Sequence, residues 1–189
     1  KMKTIIKLSN IAPYNLEETI HYYLLAAEKN HPLASSFLGM LYSDDEYITQ
    51  DIKKSISFLC LAARYNNAEA IYTLGYLYEK GEKVQKNIKK ALDFYLKAAN
   101  LNHPIAQFVF GFRDCDGYLP IDIEKGIYYL TLAANNKVRE AQCTLGLVYY
   151  IMKIDINKSI YYFTLASDQN DHDAMYYLGL IYFIGKHVK

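Results

Sequence analysis

Apolar residues recur along this chain at helical spacing, in segments broken by short polar turns. Between Ala91 and Gly111 the pattern has an odd feature: Ala98, Ala99, Ala106 and Gly111 stand where a core would take large side chains. The same small residues return. A small pair occurs at Ala26–Ala27, Ala62–Ala63, Ala98–Ala99, Ala133–Ala134 and Ala166–Ser167, at steps of 36, 36, 35 and 33 residues. Seven residues after each pair comes Ala34, Ala70, Ala106, Ala141 or Ala174, and five further on Gly39, Gly75, Gly111, Gly146 or Gly179. Eleven residues before each pair stands Asn15, Asp51, Asn87, Asp122 or Asp155. Periods of this length mark a chain of stacked supersecondary units.

The length variation is confined to one place. From each glycine to the next Asp or Asn the gap is 12, 12, 11 and 9 residues, while every other segment keeps its length. Constant segments are packed elements in register and the variable one is a loop. Each unit therefore predicts two helices. Helix A starts near Pro32 or Pro104, a favoured first-turn position, and carries the Ala-x-x-x-Leu-Gly stretch. Helix B starts behind the Asp or Asn, whose side-chain oxygen caps free N–H groups. Asn30, Asn66, Asn102 and Asn170 follow the B helices where a left-handed residue ends a helix. Lys137 takes that place after the fourth B helix, so this turn is expected to differ. Glycine inside a helix costs about 1 kcal/mol relative to alanine. Close approach of a neighbouring helix would offset it, with the alanine pair of helix B and the Ala–Gly pair of helix A as the mutual contacts.

The repeat divides the chain into a lead-in at 1–14 and a solenoid at 15–189. Full units lie near 34–63, 70–99, 106–134 and 141–167, with partial units at 15–27 and 174–185. The fold class is all-α: a right-handed superhelical solenoid of antiparallel helix pairs, with four full repeats and partial repeats at both ends.

Composition narrows the function. The chain has 189 residues, 52% of them hydrophobic, which excludes a disordered tail. A net charge of +1 with dispersed lysines argues against nucleic-acid binding. No apolar run is long enough to insert in a membrane. Cys60, Cys115 and Cys143 have no metal-ligand or disulfide spacing. With no evident signal peptide, a soluble, cytoplasmic protein is favoured. Lys1 precedes the first Met, and the last segment has no polar outer face, so a longer solenoid is expected, or self-association through uncapped ends. No catalytic motif, metal site or cofactor-binding motif is present. Gly179 to His187 misses the phosphate-loop spacing by one residue and lacks its Ser or Thr. His31 and His103 precede the two prolines at equivalent positions and read as caps. Asp44, Asp45 and Glu46 form a short acidic cluster in the first loop, either a solvated loop or a contact for a basic partner.

The stretch from Ala70 to Ala99, AIYTLGYLYEKGEKVQKNIKKALDFYLKAA, resembles the unit of the Sel-one-like repeat family, a relative of the tetratricopeptide repeats. The resemblance extends from about Asn15 to Gly185. The family's loop glycines remain only at Gly81, Gly117 and Gly185, and its tryptophan is replaced by Tyr22, Phe58, Phe94, Tyr129 and Tyr162. Helix A carries Tyr42, Tyr78, Tyr149 and Tyr182 at one position, where the third unit has Asp114, so an irregularity is expected around Arg113 to Pro120.

What the resemblance implies is a non-catalytic scaffold or adaptor that binds a protein or peptide along a concave groove lined by helix A. By analogy with tetratricopeptide solenoids, the groove takes positions three before each glycine (Ser36, Tyr72, Phe108, Cys143, Tyr176), one after (Met40, Tyr76, Phe112, Leu147, Leu180) and six before (Glu69, Ile105, Glu140, Asp173). The binding candidates are thus Tyr72, Tyr76, Phe108, Phe112 and Tyr176, with Glu69 and Glu140 as an acidic edge. Packing between repeats is the alternative for both aromatic rows. A second reading is a substrate-docking module of a larger enzyme, for example one linked to a kinase. A stand-alone enzyme would follow only the cysteine-rich, penicillin-binding branch, whose regular cysteine pairs are missing here.

Overall fold

All but one of the described helices begin where a side-chain oxygen or nitrogen meets otherwise unpaired backbone N–H groups. The computed structural model describes residues 15–44, 46–115 and 122–185, with the side chains of residues 114 and 115 excepted. Among the described residues there are ten helices and no strand: α1 (Leu16–Glu28), α2 (Pro32–Ser43), α3 (Ile52–Arg64), α4 (Ala68–Lys80), α5 (Ile88–Asn100), α6 (Pro104–Cys115), α7 (Ile123–Asn135), α8 (Arg139–Ile151), α9 (Ile156–Ser167) and α10 (His172–Ile184). The odd-numbered ones are B helices. Each starts behind its Asp or Asn, whose side chain accepts an N–H from Glu18, Lys54, Lys90, Lys125 or Lys158. The hydrogen bond from the Lys54 N–H is the main cause that holds the Asp51 carboxyl below its usual range.

The A helices begin behind His31, Asn67, His103, Val138 and Asp171. Nδ1 of His31 and of His103 accepts the N–H of Ala34 and Ala106, at 3.3 and 3.1 Å. Asn67 and Asp171 cap in the same way, whereas Val138 offers no side-chain acceptor. The histidines are caps.

Every B helix ends in the same motif. Asn30, Asn66, Asn102, Lys137 and Asn170 have φ between 56° and 61°. The next residue's N–H returns to the carbonyl of Ala26, Ala62, Ala98, Ala133 or Ala166 at 3.0–3.2 Å. This is the Schellman arrangement. The turn expected to differ at Lys137 does not: its φ is 60° and Val138 N–H bonds the Ala133 oxygen at 3.1 Å. Fixed spacing to the next helix imposes the left-handed residue even without Asn.

The outcome is an all-α solenoid of helix pairs. Within a unit A packs on B (α2 on α3, α4 on α5, α6 on α7, α8 on α9), each B packs on the following A, and α2 touches α4, α6 touches α8 and α8 touches α10. Buried clusters follow one another along the stack, around Leu59 and Leu74, then Tyr95 and Phe110, Leu130 and Leu145, and Phe163 and Ile181.

The repeat alanines Ala34, Ala70, Ala106, Ala141 and Ala174 are buried throughout. The glycines correct the expected contact scheme. What enters the space at a glycine is not the alanine pair but the large residue three places before it. A Cβ at Gly39 would lie 2.5 Å from the Leu59 side chain, at Gly75 2.9 Å from the Tyr95 ring and at Gly146 2.6 Å from the Phe163 ring; at Gly111 it would meet the Leu130 side chain at 3.0 Å and, closer still, the Gly126 carbonyl oxygen at 2.8 Å. Gly179 departs from the rule, with nothing within 4 Å, because no B helix follows α10 among the described residues. Gly81 and Gly185 close α4 and α10 in the left-handed region, where glycine carries no Cβ penalty. Gly117, Asp45 and residues 116–120 of the expected irregularity lie outside the described residues.

Candidate functional site

Positions three before and one after each glycine are four apart, hence on the same face of helix A, one above the other. The two rows differ in surroundings. Tyr72 is half-buried: its ring stacks on His103 at 4.6 Å and 14° and tilts against Tyr95 at 5.6 Å. Burial, reinforced by the charge of Glu69, pushes its hydroxyl pKa up. Phe108 is half-buried against the Leu130 cluster and 5.9 Å from Phe112. Tyr76 and Phe112, in the other row, are 45% and 41% exposed. Tyr176 on α10 is 66% exposed.

The acidic candidates also separate. Glu69 faces His103, with Oε2 3.5 Å from Nε2. Because Nδ1 of His103 accepts the Ala106 N–H, the proton of the neutral ring belongs on Nε2, toward Glu69. Glu140 is exposed and pairs with Arg139, which also reaches Asp171 at 3.5 Å. Beyond the candidates, Glu79 ties three helices together. It accepts the Tyr95 hydroxyl at 2.6 Å and pairs with Arg113. Burial first, then Glu79, drives the Tyr95 hydroxyl pKa far above its ordinary value.

Three cavities line this face. One of about 580 Å³ lies between α2 and α4, walled by Tyr23, Leu33, Ser36, Met40, Asp44 and Glu69 among others. A second, about 640 Å³, is bordered by Glu69, Tyr72, His103, Ile105, Arg139 and Glu140. The third, about 390 Å³, is bordered by Tyr72, Tyr76, Glu79 and Lys80. Glu69, Tyr72 and Glu140 thus share one cavity and Tyr72 and Tyr76 another. Phe108, Phe112 and Tyr176 border none of the three.

Sequence reasoning missed an amide relay beside these cavities. Gln107, fully buried, donates to the Ala99 carbonyl at 3.2 Å and accepts from Asn136 at 3.3 Å. One unit later Gln142 donates to the Ala134 carbonyl at 3.1 Å and accepts from Gln169 at 2.7 Å. The available signal was a Gln directly after the repeat alanine, twice.

Among the described residues no cluster of three His, Cys, Asp or Glu could hold a metal ion, and no helix is long and apolar enough to cross a membrane. Burial, helped by Asp171, pushes the Cys143 thiol up to about 12, which keeps it protonated and unreactive at neutral pH.

The model of the Sel1 repeat matches residues 9–31, 32–66, 68–103, 109–138, 140–171 and 172–189. The chain belongs to the Sel1 repeat family. Sel1 repeats are in general non-catalytic scaffolds that mediate protein–protein interaction. The fold is shared with solved structures. A protective antigen of uropathogenic Escherichia coli with an SLR fold, c5321, is 26% identical with a TM-score of 0.78, over 90% of this chain and 37% of that one. A Sel1 repeat protein from Oxalobacter formigenes is 22% identical with a TM-score of 0.83, over 89% of this chain and 50% of that one. The immunity protein Pa5087 from Pseudomonas aeruginosa is 23% identical with a TM-score of 0.54, over 82% and 59%. This chain therefore spans between about a third and three-fifths of the length of these relatives. No curated protein matches it.

Proposed function

We propose that this Sel1 repeat chain is an adaptor that holds a protein partner along the face formed by its A helices, in a concave groove. The observation that carries the reading is the pair Tyr76 and Phe112. They occupy the same repeat position on α4 and α6, and they remain exposed although both are large and aromatic. Aromatic side chains offer much contact area at low entropic cost and dominate protein interfaces. Contact between successive A helices supports a groove on that side, since close spacing belongs to the inner side of a curved stack. Glu69 and Glu140 give the groove an acidic edge. Tyr72 and Phe108 brace the repeats beneath it.

Contact between copies is part of the same reading, supported by the exposed Tyr182, Phe183 and Ile184 of α10. Crosslinking of the full-length protein in its own cells, followed by mass spectrometry, tests the adaptor role. A partner enriched by the wild type and lost from the Tyr76→Ala/Phe112→Ala variant, with helical content unchanged, is the expected result. Equal recovery by both proteins would remove these residues from the interface.

A further inference from the structure

The cavity between α2 and α4 sits at the first-unit end of the proposed groove. It is lined by the repeat equivalents of two side chains that stack on each other in the next unit. Tyr72, three before Gly75, stacks on His103, the residue that caps the following A helix. The corresponding pair one unit earlier is Ser36, three before Gly39, and Asn67, the cap of α4. Both line the cavity of about 580 Å³. A ring and its stacking partner are thus replaced by two small polar residues, and the space between the helices stays open.

The serine points to a ligand. Hydroxyls on these helices bond a carbonyl one turn back, as Ser35 does to His31 and Thr73 to Glu69. Ser36 is 3% exposed, and its Oγ has no hydrogen-bond partner among the described residues. A buried hydroxyl left unpaired carries its desolvation cost uncompensated, which a polar atom entering the cavity would recover. Leu33, Phe37 and Met40 make the walls apolar, and the charged residues that line them are Asp44, Glu46 and Glu69, all acidic. The nearby Lys83 ammonium is engaged by the Ser43 carbonyl at 2.5 Å.

We propose that this cavity binds a tyrosine side chain of a basic peptide: the ring fills the slot that Tyr72 fills in the next unit, the phenol meets Ser36, and flanking Lys or Arg face the acidic rim. The inference rests on the adaptor reading and specifies one anchor of its partner.

The test uses four acetylated, amidated probes, KKYKK, KKFKK, KKAKK and EEYEE, titrated against the isotope-labelled chain by NMR. KKYKK is expected to shift signals around Ser36 and Met40. KKFKK should bind about threefold to tenfold more weakly, the value of one hydrogen bond. KKAKK and EEYEE should lose at least about tenfold. In Ser36→Ala the preference for KKYKK over KKFKK should vanish. In Ser36→Tyr, which supplies the ring from within, KKYKK should lose at least about tenfold. The Asp44→Asn/Glu46→Lys variant, changed only at the rim, should also weaken KKYKK about tenfold and stands in if Ser36→Tyr fails to fold. Equal binding of KKYKK and KKAKK, or unchanged binding to the rim variant, would overturn the proposal. Partner capture that depends on Tyr76 and Phe112 while KKYKK fails to bind would remove the slot and leave the adaptor; the reverse would remove the adaptor face alone.

Discussion

Units one, two and four resemble one another in a way the third does not. In the three similar units the helix A tyrosine stacks on an aromatic of helix B: Tyr42 on Phe58, Tyr78 on Phe94 and Tyr149 on Tyr162, at 5.8–5.9 Å and 1–13° between planes. A lysine three places after the helix B cap covers each tyrosine, namely Lys54, Lys90 and Lys158. The third unit has Asp114 at that tyrosine's position and Phe110 where the others have leucine before the glycine. There Tyr129 turns edge-on to Phe110 at 5.1 Å and 74°, and Lys125 covers Phe110 at 5.0 Å. The aromatic contact has moved one turn along helix A and survived.

The backbones differ as well. Four residues after the helix B cap stand Ser55, Ala91, Gly126 and Ser159. Ser55 and Ser159 donate to the carbonyls of Gly39 and Gly146 at 2.7 and 2.8 Å, which holds the helices one hydroxyl apart. At Gly111 the nearest atoms to an added Cβ are backbone, the Gly126 oxygen at 2.8 Å and the Leu130 nitrogen at 2.9 Å. At Gly39 and Gly146 they are side-chain atoms of Leu59 and Phe163. With Gly126 opposite Gly111, α6 and α7 meet without a spacer. Large and small residues trade places within a unit, and the packing closes by two different routes.

That contrast is open to measurement. Among the glycine-to-alanine substitutions Gly111→Ala is expected to destabilise the chain most, by about 2–3 kcal/mol, because a helix backbone cannot yield as a side chain can. Thermal or urea unfolding that shows Gly111→Ala no worse than Gly75→Ala would break the distinction. Gly75→Leu should cost more than ~2 kcal/mol by overpacking against Tyr95, and a midpoint within a degree of wild type would end the close-contact argument. A double-mutant cycle between Tyr78 and Phe94 should return a coupling of about 0.5–1.5 kcal/mol, matched by a cycle between Phe110 and Tyr129; a third-unit value near zero would mean the relocated contact does not replace the lost stack. Gly179→Ala, with open space at the Cβ, should be stabilising by up to about 1 kcal/mol through helix propensity. A loss of stability there would show that a neighbour covers α10.

The capped helix starts, the four asparagine turns and the glycine period could be read directly from the chain, because each depends on residues within a few positions of one another; the equivalent turn at Lys137 could not. Asn15, Asp51, Asn87, Asp122 and Asp155 cap because a side-chain oxygen reaches an N–H two or three residues away. The candidate site was legible only as a face. The helical period places Tyr72 and Tyr76 together on α4, yet it says nothing of what lies opposite, and that opposite surface leaves Tyr72 stacked on His103 and Tyr76 exposed. The Gln107 and Gln142 relay and the empty slot at Ser36 were hidden for the same reason.

Local hydrogen bonds and a recurring period thus prescribe the ten described helices and their order, since neither needs a distant partner. Exposure, the route by which each pair closes and the cavities depend on side chains about 30 residues apart, such as Gln107 with Asn136 and Gln142 with Gln169. Burial and contact are properties of such pairs, and no single position carries them until the units are stacked.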